Sequence, residues 1–369
     1  MRIACRLTEI KSILGVRDRI LCCNTLQAKE SYQIPEIGVL TVKHLQIVSR
    51  EGVRALDLAE DKSYNPSLAD GQVLIKMEAA VINGSDLLFV AGHFPIPHTL
   101  PSPVGGEGVG RVEKAGKAAA HLIGKRVVIP PTYEQGTWAE YVVANHRSVV
   151  EIGDEGDVLQ LGMLGINPPT AYLLLKDYAH LTPRDWIGQT AANGACSQYV
   201  IQLAKLAGIK TLNIVRTAEA AEQVKHFGGD KVVVQGDNLA QQIEETLAGQ
   251  QLSLVLDAVG GSAIGELAKF LKFGGSAVAY GLMSGQPQNI SPINLIFNGL
   301  SLHGFWEINW LRHASQADIQ FTFKHLAGLV AEGKLHAAVE ATYTLDEFHA
   351  AVEHAQKAGR HGKILFRLQ

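Results

Sequence analysis

The chain has 369 residues, which at roughly 150 residues per domain suggests about two domains. Its residues are 47% hydrophobic and 19% charged, which excludes general disorder, and a net charge of −3 leaves no global basic field for nucleic acid. Apolar runs such as 252–259 are far too short to span a membrane, and four cysteines cannot build a disulfide framework.

The opening stretch differs from the rest. Cys5, Cys22 and Cys23 lie in it, and only Cys196 lies beyond. It has no charged-then-apolar layout ending in a small-residue cleavage site, so no secretory signal is expected. Glu9, Asp18, Glu30 and Glu36 argue against a basic, acid-poor mitochondrial leader. Residues 1–41 are expected to be a poorly packed extension without a catalytic part. A targeting or partner-binding arm is the functional alternative, and an over-extended start is another. Regular patterning begins near Val42.

From Val42 to about Gly165 the chain reads as short strands and turns. Gln72–Met77 and Arg126–Ile129 are β-rich runs bounded by Gly, Pro and Asp, and glycines crowd at 105, 106, 108 and 110. From about Asp185 strand and helix alternate. Strands are expected at Asp185–Ala191, Lys210–Arg216, Lys231–Gln235, Leu252–Val259, Gly275–Gly281 and Leu300–Trp306. Helices are expected at Ala195–Ala207, Ala218–Phe227, Leu239–Leu247 and Ser262–Leu271. Short apolar strands alternating with helices predict a parallel sheet covered on both faces, and six strands is the number in a dinucleotide-binding fold. Helical patterns at Ala317–Glu332 and Leu345–Ala358 and a strand at Lys363–Leu368 close the chain.

The first of the six strands runs through Ala192-Asn193-Gly194-Ala195-Cys196-Ser197 directly into a helix. Free backbone N–H groups at the positive end of a helix suit a pyrophosphate. The strict G-x-G-x-x-G pattern is absent, since only Gly194 is a glycine, so an ordinary strand–helix turn is the bland reading. The second strand ends in Asn213-Ile214-Val215-Arg216-Thr217, with no acid to bind the ribose hydroxyls of NAD. Arg216 suits a 2′-phosphate, so NADPH is expected over NADH; a solvated surface arginine is the alternative.

Several segments carry a family resemblance. They are Asn167-Pro168-Pro169-Thr170-Ala171-Tyr172, Gln198-Tyr199-Val200-Ile201-Gln202-Leu203-Ala204, Tyr280-Gly281-Leu282-Met283 with Gln286-Pro287, and Leu295-Ile296-Phe297 followed by Gly304-Phe305-Trp306 and Trp310. Through them the chain resembles the zinc-independent branch of the medium-chain dehydrogenase/reductase superfamily. Its likeness is greatest to mitochondrial-type trans-2-enoyl-thioester reductases, with the quinone oxidoreductase-like branch as neighbour. The resemblance covers about 42–368. It implies an α/β chain with a GroES-like β-rich catalytic domain over 42–165. A six-stranded doubly wound Rossmann domain follows over 166–305, and 306–369 returns to the catalytic domain. It also implies a homodimer through the last Rossmann strands. The cofactor contacts it implies are Asn167, Thr170, Asn193, Gly194, Ala195, Cys196, Arg216, Tyr280, Gly281, Leu282, Met283, Phe305, Trp306 and Lys363. Trp310 and Tyr133 are the implied substrate-pocket residues, with Trp310 as a strand core residue the alternative.

The zinc-dependent branch uses a cysteine in the segment that reads here Asn83-Gly84-Ser85-Asp86, and a histidine in Gly105-Gly106-Glu107-Gly108. Neither is present, no four closely spaced cysteines occur, and no metal is expected. The resembled reductases also carry a tyrosine proton donor just before a proline a few residues after Asp86. Here the order is Ala91-Gly92-His93-Phe94-Pro95, and Phe94 has no proton to give. His93, Tyr133 or an ordered water are candidate substitutes, a surface-loop histidine being the plainer reading of His93. Asn83 is a further catalytic candidate.

The expected activity is hydride transfer from NADPH to an activated double bond, foremost a 2-enoyl thioester. The alternatives are a quinone or reactive enone acceptor, or an NADPH-binding protein without chemistry. A cytoplasmic location is expected, or a mitochondrial one if the source is eukaryotic. Tyr172-Leu173-Leu174-Leu175-Lys176 spells the Y-x-x-x-K of short-chain dehydrogenases, but it precedes the glycine loop and is read as a helix-surface pair.

Overall fold

The computed structural model describes residues 40–368. The expected extension lies outside them except for its last two residues, Leu40 and Thr41, which already belong to the first strand. The elements before the cofactor-loop region are β1 (Leu40–Ile47), β2 (Leu56–Tyr64), β3 (Gln72–Ile82), α1 (Gly84–Val90), β4 (Ser102–Pro103), β5 (Gly108–Ala115), β6 (Arg126–Ile129), β7 (Tyr141–Asn145) and β8 (Val150–Glu151). Helices α2 (Val158–Gly162) and α3 (Asn167–Asp177) lead to β9 (Trp186–Gln189), α4 (Ala195–Leu206), β10 (Lys210–Val215), α5 (Ala218–His226), β11 (Lys231–Val234), α6 (Leu239–Leu247), β12 (Leu252–Asp257), α7 (Ala263–Ala268), β13 (Leu271–Ala279), α8 (Pro292–Phe297) and β14 (Ser301–Gly304). The chain closes with α9 (Glu307–His313), α10 (Gln316–Ala331), β15 (Val339–Tyr343), α11 (Phe348–Gln356) and β16 (Lys363–Arg367).

Strands β9 to β14 form one sheet in the order β11-β10-β9-β12-β13-β14. Every pairing in it is parallel. This is the doubly wound arrangement, whose ligand crevice opens where the order reverses, beyond the carboxyl ends of β9 and β12. The strands are apolar because helices cover both faces: Leu212, Ile187, Leu254 and Val278 have no exposed surface.

The second large sheet has the order β15-β16-β3-β5-β6-β8, with β7 also paired to β3. Its long member β3 is buried on both faces. Val73, Ile75 and Met77 enter one core, Ala79 and Val81 a second, and Ala80 and Ile82 a third. The last strand, β16, inserts between β15 and β3. A small sheet of β2, β1 and β4 completes this part. Among the described residues, no helix is long and apolar enough to cross a membrane.

Three expectations need correction. Strand β13 begins at Leu271, not Gly275, because Leu271 pairs with Leu252 and Ser276 with Leu254, so residues 272–275 bulge outward with Gly274 at φ +73°. The sixth strand stops at Gly304, and Trp306 instead caps α9, a helix the sequence pattern did not predict. Tyr172 and Lys176 do share a helix, but Tyr172 is fully buried rather than on its surface.

Candidate active site

The floor of the site is a buried hydrogen-bonded cluster. Asn83 begins α1 and forms a capping box with Asp86, whose carboxylate accepts the Asn83 backbone N–H at 2.7 Å and the Gly106 N–H at 2.8 Å. The Asn83 side chain donates to Glu107 Oε1 at 2.7 Å, and Glu107 Oε2 accepts the Ile166 N–H at 2.8 Å. The Asn83 carbonyl oxygen accepts from Asn167 Nδ2 at 3.3 Å and from Lys363 Nζ. Strand β16 thus delivers the one lysine of this cluster across the sheet to residues of the first block. Burial pushes the Asp86 carboxyl up to about 6 and the Glu107 carboxyl up to about 7, against the opposing pull of Lys363. Burial likewise lowers the Lys363 ammonium, while Glu107 and Asp86 pull it back up.

Above this floor lies a cavity of about 410 Å³. It runs from Asn83, Ser85, Phe94 and Tyr133 to the start of α4 at Gly194, Ala195, Cys196 and Ser197, and to Tyr280 and Gly281 after β13. Helix α4 begins at Gly194 with no side-chain cap, so its first-turn N–H groups stand open at the positive end of the helix. A Cβ at Gly281 would lie 2.5 Å from the Ala258 carbonyl oxygen, so only glycine lets these two loops meet. Asp257 fixes the neighbouring loop by accepting from Thr190 Oγ1 at 2.6 Å and the Gly260 N–H at 2.7 Å. These features fit a dinucleotide: open N–H groups for its phosphates and a glycine-gated slot at the sheet switch point.

An aromatic wall faces the floor. The Phe94 ring lies 5.0 Å from Tyr133 and 6.0 Å from Trp306, edge-on to the latter. Phe305 and Ile308 complete the apolar side.

The structure brings together Asn83, Phe94, Tyr133, Asn167, Thr170, Gly194, Ala195, Cys196, Tyr280, Gly281, Met283, Phe305, Trp306 and Lys363 around this cavity. It does not bring in five others. His93 is exposed on its loop and outside the lining. Trp310 packs against the main core from α9. Leu282 points outward, 64% exposed. Asn193 turns toward Gln223 on α5, and Arg216 is exposed at the tip of β10.

Sequence reasoning missed Glu307. It opens α9 directly after Trp306, is 4% exposed and lines the cavity. Neither of its carboxyl oxygens has a hydrogen-bond partner among the described residues. Burial, then the negative charge of Glu107, push its carboxyl well above the usual range; the nearby Thr170 hydroxyl offsets part of this without reaching hydrogen-bond geometry. The only sequence signal was an acid set between Trp306 and Ile308. Asp86 and Glu107 were likewise not singled out as site residues.

Comparison with known proteins agrees with this geometry. Residues 69–154 match the model of the alcohol dehydrogenase GroES-like domain, and residues 195–324 that of the zinc-binding dehydrogenase. The mitochondrial enoyl-[acyl-carrier-protein] reductase of Xenopus tropicalis is 33% identical over 78% of this chain and 85% of its own. The chain belongs to the zinc-independent branch of the medium-chain dehydrogenase/reductase superfamily. The Arabidopsis thaliana protein of the same name is 34% identical over 80% of each chain. Among solved structures, one named as an NADPH:quinone reductase from Bacillus thuringiensis superimposes with a TM-score of 0.80 at 29% identity, covering 89% of this chain and 99% of its own. As a member of this superfamily the chain is an oxidoreductase with a GroES-like part and a Rossmann-type sheet.

Proposed function

We propose that the chain is an NADPH-dependent reductase of 2-enoyl thioesters. The observation that carries this is the single cavity joining the uncapped start of α4 to a buried polar floor and an apolar aromatic wall. The relatives at 33% and 34% identity, both named enoyl reductases, support it.

The open N–H groups of α4 and the slot at Gly281 hold the dinucleotide, Arg216 meets the 2′-phosphate from outside the cavity, and Arg360 and Lys363 add positive charge to its wall. Bound NADPH supplies hydride. Asn83, Asn167 and Lys363 fix the floor through their shared hydrogen bonds, so that the site is ordered before substrate arrives. The wall of Phe94, Trp306 and Phe305 excludes water around the acyl chain, where hydrogen bonds to a developing enolate are strongest. In this reading residues 42–165 and 306–369 form the catalytic unit and 166–305 the dinucleotide unit. Two copies pair through β14, whose four residues are all exposed at the sheet edge.

A quinone acceptor is the second reading. Phe94 favours it, because a quinone anion takes its proton from solvent, and so does the 29% identical structure. NADPH oxidation by purified protein, with a short 2-enoyl-CoA and a simple quinone side by side, decides. Faster turnover of the enoyl-CoA is expected; turnover of the quinone alone would replace the first reading with the second.

A further inference from the structure

Of the three carboxyls at the site, Glu107 and Glu307 have sharply different surroundings. Glu107 accepts from the Asn83 side chain and the Ile166 N–H and feels the Lys363 cation. Among the described residues no donor reaches hydrogen-bond geometry with Glu307, the nearby Thr170 hydroxyl included, yet Glu307 is 4% exposed and belongs to the same cavity as Phe94. A buried carboxylate without donors is costly, whereas a buried neutral acid is not. When two carboxyls couple in this way, the proton stays on the one that is less well stabilised as an anion. The like charge of Glu107 adds to the effect of burial on Glu307. The other titratable groups around Glu307 are Cys196, Tyr280, Tyr133, Lys363 and Arg360. Burial pushes the Cys196 thiol up to about 12 and both phenols well above their usual range, so each is a poorer acid than a carboxyl.

We propose that Glu307 is the general acid of the reaction, giving the proton that the side chain of Phe94 cannot. This rests on the enoyl-thioester reading. As hydride reaches the β-carbon, the C=C electron pair moves toward the thioester carbonyl. The Glu307 O–H bond then breaks as the new C–H bond forms at the α-carbon. NADPH is oxidised to NADP⁺, the double bond is reduced, and the Glu307 carboxylate recovers its proton from water at the cavity mouth. The proton donor has moved from one wall of the cavity to another: Trp306, beside Glu307 in sequence, meets the Phe94 ring edge-on.

The test compares wild type with Glu307→Gln and Glu307→Leu, each alone and combined with Phe94→Tyr, and with Tyr133→Phe. The substrate is a short 2-enoyl-CoA. General-acid assistance contributes ~100- to 10,000-fold, and a loss of that size in kcat is expected in both Glu307 variants. NADPH affinity, read by fluorescence titration, stays near the wild-type value, and adding Phe94→Tyr restores at least ~10-fold of the lost turnover. The leucine variant keeps the test decisive if the glutamine variant does not fold, since an apolar side chain suits this pocket. Wild-type activity untouched by either Glu307 variant overturns this inference alone, as does a loss confined to Tyr133→Phe. A wild-type protein that binds NADPH but reduces no enoyl thioester overturns the enoyl reading as well.

Discussion

Lys363 is the side chain on which the floor depends. Its ammonium faces two buried carboxyls, and Asn83 links all three. Asp86 moves from 3.8 to about 6 and Glu107 from 4.5 to about 7 on folding. A carboxyl raised on folding stabilises the fold while protonated, and that contribution is lost as pH rises through the folded value. Each tenfold change in proton affinity corresponds to about 1.4 kcal/mol. Urea unfolding of the ligand-free protein is therefore expected to show stability falling between about pH 4 and pH 7, by ~2 kcal/mol or more. Lys363→Met removes the cation that holds both values down, and the fall should steepen and extend to higher pH. An unchanged slope would mean that the lysine does not couple to these acids. Lys363, Asn83 and Asn167 were singled out in the sequence, and the structure brings the three together in the floor. Glu307 was not, because a sequence records a charge but not its burial or its lack of partners. His93 and Trp310 lie outside the cavity lining: neither chain proximity to Phe94 nor family likeness sets which way a loop or helix turns a side chain.

At the scale of elements, the slot between the ends of β12 and β13 depends on Gly281. A valine there would press on the Ala258 backbone, which cannot yield as a side-chain tip would. Gly281→Val should lower stability by ~1–3 kcal/mol through overpacking and weaken NADPH binding together. Denaturant midpoints and NADPH titration check both; intact affinity would place the dinucleotide elsewhere. The alternation of strand and helix from Asp185 onward was readable because each strand is a short apolar run and each helix has an amphipathic period. Leu239–Leu247 matches residue for residue, helped by the buried stripe of Leu239, Ile243 and Leu247. The strand β13 was misjudged at its start because a four-residue bulge leaves Phe273 82% exposed, and no periodicity marks where such a strand begins. Helix α9 escaped notice because its aromatic neighbours look like a continuing strand.

Across the whole molecule, the outer face of the six-stranded sheet is unusual for a lone chain. Among the described residues nothing pairs with the outer edge of β14, and Phe273, Ile293, Ile296, Phe297 and Leu302, on or close in sequence to β13 and β14, are all exposed. Such an edge invites a second copy. Under the proposed pairing of two copies through β14, Leu302→Lys should shift the sedimentation of the protein toward monomer while leaving NADPH affinity unchanged, since Leu302 is outside the cavity; a wild-type protein that sediments as a monomer would overturn the pairing. A variant that stays dimeric would move the contact to another face. The order of the large units was legible, because β-rich and strictly alternating patterns differ over a hundred residues. Their interlocking was not, because pairing between positions 82 and 364 has no local signature. That interlocking also sets a schedule for biosynthesis. The β-rich unit precedes the parallel sheet, but its own sheet lacks β15 and β16, and its acids lack their cation, until residue 367 has left the ribosome and emerged from its tunnel. The parallel sheet between can fold earlier as a unit, so the nascent protein holds an unfinished apolar edge while the rest is translated. Capture by a chaperone at that edge would be a cost of delivering the lysine of the site from β16, a strand that follows the whole parallel sheet in the chain.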